Sequence, residues 1–116
     1  MSLNNLTYLN ISHNHKIYNI AHLTNLTHLN ANHAKHIDQA NIDMLVNLRH
    51  LNIYCNNYIV NITHLTVLAY FDIGGRCNKI GQDTINVLTN LKHLQMVHNK
   101  NVSDVLHLTM LPYFRC

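Results

Sequence analysis

A six-residue frame of apolar residues, Leu-x-x-Leu/Phe-x-apolar, recurs six times along the 116 residues at a nearly constant spacing. The successive copies begin at Leu6, Leu26, Leu48, Leu68, Leu91 and Leu111, with separations of 20, 22, 20, 23 and 20 residues. Regular spacing of about 20 to 50 residues is typical of repeat architectures, in which each copy buries its apolar face against its neighbours. The spacing therefore predicts a single domain over residues 1–116, built from coils that start near these six leucines.

Each frame also contains a stretch in which apolar and polar residues alternate, as in Tyr8-Leu9-Asn10-Ile11-Ser12. Period-two alternation is typical of a β-strand with one buried face, so Leu9 and Ile11 should point inward and the other three residues outward. Since each copy supplies one strand, the strands should stack in parallel, about 4.8 Å apart. We expect these strands to centre on nearly fully buried residues: Leu9, Leu29, Leu51, Phe71, Leu94 and Phe114.

The segments that return to the next strand are of two kinds. In the short kind, apolar residues recur at every third position, which favours 3₁₀ turns. These residues are Ile17, Ile20, Leu23 and Leu26, then Ile59, Ile62, Leu65 and Leu68, then Val102, Val105, Leu108 and Leu111. The long kind, residues 37–45 and 80–88, has room for about two turns of α-helix. The predicted fold class is α/β: a right-handed solenoid of five to six coils, with a parallel concave sheet and short 3₁₀ or α-helical segments on the convex side.

An asparagine usually follows the strand, where its amide can bond the backbone of the turn. The copies that show it have Asn14, Asn56 and Asn99. In the fourth copy the count from Ile80 assigns this position to Cys77, and Gly74–Gly75 is the expected site of a bulge that absorbs the extra residue. The second copy has Ala34 instead, so its turn must find hydrogen bonds elsewhere.

With its repeated frame and segments such as Leu23-Thr24-Asn25-Leu26-Thr27-His28-Leu29-Asn30, the chain resembles leucine-rich repeat proteins over essentially its whole length. The residues used within these repeats are similar to those of the internalin-like subclass and of short repeats from giant viruses and amoebae. The resemblance implies a curved solenoid whose concave sheet binds other proteins, and an asparagine ladder that also tolerates cysteine. Family members usually carry capping segments, and none is recognisable here.

Without caps, the terminal coils should present apolar residues to a neighbour. We expect these to be Leu3, Leu6 and Ile17 at one end and Leu108, Leu111 and Phe114 at the other. An exposed apolar patch marks an interaction site or an aggregation liability, and unpaired edge strands add open backbone groups. The sequence therefore favours a homo-oligomer formed through the terminal coils, or fraying of those coils.

Stacking the copies in register aligns the outward positions in columns. The first column is Tyr8, His28, His50, Tyr70, His93 and Tyr113; the second is Asn10, Asn30, Asn52, Asp72, Gln95 and Arg115. The third is Ser12, Asn32, Tyr54, Gly74 and Val97; the fourth is His13, His33, Cys55, Gly75 and His98. Rings with polar tips offer contact area at low entropic cost, which favours an interface with another protein. The alternative is that neighbouring rings stack only on one another and hold the coils together.

The candidate protein-binding residues are therefore Tyr8, Asn10, His28, Asn30, Asn32, His50, Asn52, Tyr54, Tyr70, Asp72, His93 and Gln95, and we expect Tyr54 and Tyr70 to be the anchors. A second hypothesis is zinc binding, with His28 and His50 or His33 and Cys55 as ligand pairs. A structural zinc site needs four ligands, and no Cys-x-x-Cys or comparable spacing supplies them. The sequence thus predicts no cofactor and no metal.

The sequence contains no motif or composition typical of the other classes of function considered. No nucleophile elbow, phosphate-binding glycine loop or carboxylate pair is present, so we expect no enzyme activity. Only 11% of the residues are charged, the net charge is +3 and no basic run occurs, which argues against nucleic acid binding. No apolar stretch has the length of a signal peptide or a membrane span. Three cysteines without framework spacing favour reduced thiols and a cytoplasmic location.

Overall fold

A computed structural model describes residues 4–103 and the strand at residues 113–115. In these residues the chain forms one six-stranded parallel sheet and two short helices. The strands are β1 (Tyr8–Asn10), β2 (His28–Asn30), β3 (His50–Asn52), β4 (Tyr70–Asp72), β5 (His93–Gln95) and β6 (Tyr113–Arg115). The helices are α1 (Gln39–Asp43), between β2 and β3, and α2 (Gln82–Val87), between β4 and β5. An open parallel sheet in chain order, with few helices, is compatible with a solenoid-like α/β fold.

The strands pair in the register that the repeat predicts. Leu29 of β2 lies opposite Leu9 of β1 on one side and opposite Leu51 of β3 on the other, and the later strands continue in the same way. The strand centres from Leu29 to Leu94 are buried, with at most 3% of each residue exposed. The expectation for Leu9 was wrong, because β1 has a strand neighbour on one side only and leaves this side chain partly buried. The side chain of Phe114 lies outside the described residues.

The short return segments form single turns, as the spacing of three predicts. Leu23 N–H donates to Ile20 O (3.0 Å), and Leu26 N–H donates to Leu23 O (3.1 Å). The third copy repeats this pattern at Leu65 and Leu68. Each bond spans three residues, so the apolar side chains at these positions share one inward face. The corresponding residues Val105, Leu108 and Leu111 lie outside the described residues.

The long return segments form helices shorter than the two turns expected. Helix α1 has five residues and begins after Asp38, whose carboxylate accepts a hydrogen bond from Asn41 N–H at 3.2 Å. This is a regular N-cap, which satisfies a backbone donor at the helix start. Helix α2 has six residues and follows Gly81, which provides no side-chain cap. Ile42 and Ile85 anchor the two helices in the core.

In the third, fourth and fifth copies, the asparagine after the strand bonds the backbone of the preceding copy as well as its own turn. In the third copy, the Asn56 amide donates to Ile37 O (2.8 Å) and Ala34 O (3.4 Å). Its carbonyl accepts from Tyr58 N–H (2.8 Å) and Ile59 N–H (3.1 Å). In the second copy, which has Ala34 at this position, the turn is closed instead by Ile37 N–H, which donates to Ala34 O at 3.2 Å.

In the fourth copy, Asn78 and not Cys77 occupies the asparagine position, so the prediction from the count to Ile80 was wrong. Asn78 is 2% exposed; its amide donates to Ile53 O at 2.9 Å, and its carbonyl accepts from Ile80 N–H at 2.9 Å. Cys77 is exposed. Compared with the other copies, the fourth copy has two additional residues before Asn78 and one residue fewer between Asn78 and Ile80. A count made from Ile80 alone therefore assigns the asparagine position to the wrong residue.

The expected bulge at Gly74–Gly75 is also absent from the described structure. The Cys55 N–H still donates to Gly74 O (3.1 Å), and the Gly75 N–H donates to Val97 O (2.8 Å), so the ladder continues in register through both glycines. Arg76 and Cys77 are therefore the additional residues. Gly75 has φ +96°, and the residues aligned with it in the fourth column also have positive φ: His13, His33, Cys55 and His98. The left-handed conformation at this turn position is thus common to five copies, and only one of them uses glycine.

Candidate functional site

The first two columns of outward residues lie side by side on one face of the sheet. We call the described rings the ring column (Tyr8, His28, His50, Tyr70 and His93) and the neighbouring side chains the amide column (Asn10, Asn30, Asn52, Asp72 and Gln95). Strands β1 to β5 hold one member of each column, because residues two apart on a strand point to the same side. The side chains of Tyr113 and Arg115 lie outside the described residues. Together the two columns form the ring-and-amide face.

The rings of the ring column pack against one another. The centroids of His28 and His50 are 4.0 Å apart with planes at 17°, and those of His50 and Tyr70 are 4.1 Å apart at 9°. Tyr8 and His93 extend the column at 5.9 Å from His28 and 5.7 Å from Tyr70, in tilted orientations. Both faces of the His50 ring are covered, so only its edge is open to a ligand. Ring contacts therefore join four neighbouring strand pairs, two of them by stacking, and leave polar ring edges on the surface.

The stacked geometry disfavours the zinc hypothesis. Because the His28 and His50 rings are nearly parallel, their in-plane lone pairs run side by side and do not converge on one ion at about 2.0 Å. The Nδ1 atom of His28 is also engaged by the Thr27 hydroxyl at 2.8 Å. In the other candidate pair, the His33 ring contacts the ring of Tyr54, with centroids 5.6 Å apart. Across residues 4–103, no group of three or more His, Cys, Asp or Glu side chains is placed to hold a metal ion.

Four of the five members of the amide column are fixed in position by hydrogen bonds from their own turns. Asn30 Oδ1 accepts a hydrogen bond from Asn32 N–H (3.1 Å), and Asn52 Oδ1 accepts one from Tyr54 N–H (2.9 Å). Asn10 and Asp72 make the equivalent bond at 3.0 and 2.9 Å. Within the described part of the chain, the side-chain nitrogens of Asn30 and Asn52 have no hydrogen-bond partner. These two amides therefore present fixed donors to whatever lies on the face.

A shallow groove of about 330 Å³ runs over the middle of the ring-and-amide face. Nine of the twelve predicted binding residues line it: Tyr8, His28, Asn30, His50, Asn52, Tyr70, Asp72, His93 and Gln95. The strand residues Leu29, Leu51 and Phe71 line it as well. The remaining predicted residues, Asn10, Asn32 and Tyr54, are not among its lining residues.

The two expected anchors differ in their surroundings. Tyr70 lies in the groove and is 40% exposed, although its ring is stacked on His50. Tyr54 is half-buried over Gly74, where an added Cβ would lie 2.8 Å from the tyrosine ring. Next to it, Asn32 has a buried side-chain oxygen with no hydrogen-bond partner among the described residues. The geometry therefore supports Tyr70 as a contact residue more directly than Tyr54.

Burial shifts the protonation of two groups in the groove. It lowers the pKa of His50, and the neighbouring charge of His28 lowers this pKa further. Burial raises the pKa of Asp72, against the opposing effects of the hydrogen bond from Gly74 N–H and the charge of His93. Both shifts favour the neutral form. Near pH 7 the groove therefore gains no positive charge from His50.

We expect the protein to lose stability as the pH falls below the ordinary histidine pKa of 6.5. In the folded state the pKa of His50 is lower than in the unfolded state, so the folded state binds this proton less readily. The contribution of neutral His50 to stability is complete above pH 6.5 and is lost as the pH falls toward the pKa of the folded state. The raised pKa of Asp72 acts in the opposite direction, at pH values closer to 3.8. Melting temperatures at about pH 7.5 and about pH 5.5 should therefore differ more for wild type than for His50→Tyr, which keeps a ring but does not titrate in this range. Equal differences in melting temperature for the two proteins would show that protonation of His50 does not contribute to the pH dependence of stability.

Two features of the described structure escaped the sequence reasoning. Asn41 in α1 is buried; its carbonyl accepts from Ile20 N–H (2.7 Å), and its amide donates to Tyr18 O (3.3 Å), so it joins the helix to the preceding copy. Cys55 and Cys77 are neighbours on adjacent copies. Their separation of 22 residues is close to the 20-residue spacing between the third and fourth copies, which aligns Cys55 with Gly75, and this was the signal that could have revealed the pair.

In comparison with known proteins, the chain matches no family model and no curated protein sequence. The helices found in residues 4–103 are too short to cross a membrane.

Proposed function

We propose that the chain is a non-catalytic protein-recognition module of the leucine-rich repeat type, a right-handed solenoid that binds its partner through the ring-and-amide face. The six frames, the in-register parallel strands and the asparagine that follows most strands support the class. The free thiols of Cys55 and Cys77 favour a cytoplasmic setting for this module.

The observation that carries the proposal is the pair of amide donors on Asn30 and Asn52. Their oxygens are held by their own turns, so the nitrogens are fixed in position before a ligand arrives. They lie on adjacent strands, about 4.8 Å apart, beside the polar edges of His28 and His50. A row of fixed donors in a shallow groove suits a ligand that presents several acceptors. An extended protein segment, with its backbone carbonyls, has this chemistry.

The proposal predicts that Asn30→Asp/Asn52→Asp loses the partner. Aspartate keeps the oxygen that accepts the turn hydrogen bond but replaces the outward donor with an acceptor, so it should repel backbone carbonyls. Loss of two hydrogen bonds and the added repulsion should weaken binding at least about 100-fold. The measurement is affinity capture from a lysate with quantitative mass spectrometry, followed by titration of the recovered partner. Tyr70→Ala and Tyr54→Ala should weaken capture to a smaller degree.

A matched control is Asn19→Asp/Asn61→Asp. These exposed asparagines accept the same kind of hydrogen bond, from Ala21 N–H and Thr63 N–H at 3.0 and 2.9 Å, but lie on the return segments. They add the same charge and should leave capture unchanged. If both double variants capture the same proteins as wild type, the partner does not use the ring-and-amide face and the proposal is wrong.

A second candidate is self-association through the terminal coils. It is favoured by the first copy, where Leu6, Leu9 and Ile17 are only partly buried against the core. In the same capture experiment, recovery of a differently tagged second copy by wild type and by both double variants would support this candidate. Recovery of a different protein, lost only with Asn30→Asp/Asn52→Asp, supports recognition through the face.

A further inference from the structure

Two cysteines meet at the turns that follow β3 and β4. Cys55 is half-buried in the left-handed turn position after β3, with φ +55°. Its thiol reaches over the next copy: a Cβ added at Gly75 would lie 2.5 Å from Cys55 Sγ. Glycine at position 75 thus leaves the space that the thiol occupies. Cys77 follows two residues later, on the exposed part of the same turn.

The two thiols interact with each other. Burial raises the pKa of Cys55, and the Cys77 thiol raises it further, both as a hydrogen-bond neighbour and through its charge. The geometry agrees with this interaction: Cys55 Sγ lies against Gly75, and Asn78 N–H donates to Gly75 O at 3.3 Å, which closes the turn that contains Cys77. Both thiols are free. Neither forms part of the buried core, and Asn78 fills the position in the turn that Cys77 was expected to hold. Packing and backbone hydrogen bonding therefore do not explain why Cys77 lies there.

The longer turn of the fourth copy makes this meeting possible. In the first, third and fifth copies the asparagine directly follows the left-handed residue, whereas Arg76 and Cys77 intervene between Gly75 and Asn78. The intervening residues carry a thiol back toward the preceding copy without disturbing the strand ladder. An exposed thiol beside a half-buried one, in the exposed insertion Arg76–Cys77, is an arrangement suited to disulfide formation.

We propose that Cys55 and Cys77 form a redox-active dithiol that closes to an intramolecular disulfide by exchange with a low-molecular-weight disulfide such as oxidised glutathione. The Cys77 thiolate attacks one sulfur of glutathione disulfide, forms a mixed disulfide and releases one glutathione. The Cys55 thiolate then attacks Cys77 Sγ and releases the second glutathione. The protein loses two electrons and two protons, and glutathione disulfide gains both.

The disulfide would covalently join two neighbouring copies beside Tyr54. It closes a loop of 22 residues in the unfolded chain, which should stabilise the folded state. This inference does not depend on the proposed function, because it concerns the turns and not the groove. It assigns the pair a role as a site of reversible modification.

The test uses the full chain with Cys116→Ser, so that Cys55 and Cys77 are its only thiols. The reduced protein is equilibrated with mixtures of reduced and oxidised glutathione, then quenched with acid and measured by intact mass and by thermal melting. We expect a monomer that has lost two hydrogens and carries no adduct, with a rise in Tm on the order of 10 °C. Added dithiothreitol should reverse both changes.

The single variants Cys55→Ser and Cys77→Ser, in the same background, should stop at one glutathione adduct and show no such rise in Tm. Cys77 is exposed, so Cys77→Ser should fold even if Cys55→Ser does not, and it suffices for the comparison. Two stable glutathione adducts on the parent, or disulfides only between chains, would contradict the proposal.

Discussion

Replacement of Leu51 by alanine should lower the free energy of unfolding by about 2–5 kcal/mol. Leu51 is 3% exposed at the centre of β3, which has a strand neighbour on each side. Removing its side chain leaves a cavity that neighbouring copies cannot close without shifting. The same change at Leu9 should cost clearly less, because this residue is only partly buried in edge strand β1. Urea unfolding followed by circular dichroism gives both values.

A control for this comparison is Val60→Ala, since Val60 is 51% exposed on the return segment of the third copy. It should change stability by no more than about 0.5 kcal/mol. Equal losses at Leu51 and Leu9 would mean that the first copy is as well packed as the third, contrary to the burial described here.

Asn56→Ala should have an effect of similar size, about 3–5 kcal/mol. The asparagine makes two hydrogen bonds as a donor, to Ala34 O and Ile37 O, and two as an acceptor, from the next residues of its own turn. Alanine removes all four, and the groups left behind are mostly shielded from water. The same denaturant titration measures the loss.

The matched comparison is Asn14→Ala in the first copy. Asn14 accepts hydrogen bonds from Lys16 N–H (2.8 Å) and Ile17 N–H (3.0 Å), and it lies where water can replace them. We expect a loss of about 1 kcal/mol. If Asn56→Ala were no more harmful than Asn14→Ala, the bonds to the preceding copy would contribute nothing to stability.

The sequence was sufficient to predict the strands and the columns. Period and alternation together determine the register, because a shift of one residue would turn Leu29 or Leu51 toward solvent. The count failed at Cys77, since two added residues and one lost residue look like a single insertion from outside the turn. The sequence pattern also failed to predict that Leu9 is partly exposed. The burial of a strand residue depends on whether other strands lie on both sides of it, and the alternation within one strand does not show this.

The candidate site was predicted only in outline. Nine of the twelve predicted residues line the groove, because pairing in register is enough to bring their columns together. The alignment of the rings gave stacking as one of two alternatives, and the rings of His28, His50 and Tyr70 do stack. No pattern indicated that Asn30 and Asn52 turn their oxygens toward their own turns. The ring orientations depend on contacts between copies, whereas each amide is oriented by a hydrogen bond within its own copy, and a linear spacing encodes neither geometry.

The asparagine bonds also give the array a direction. Asn56, Asn78 and Asn99 each donate to carbonyls of the copy that precedes them, such as Ile37, Ile53 and Ile73. During synthesis, a copy therefore leaves the ribosome with open acceptors and is completed when the asparagine of the next copy emerges. Folding can then advance from the N-terminus one copy at a time, each arrival closing the unit before it.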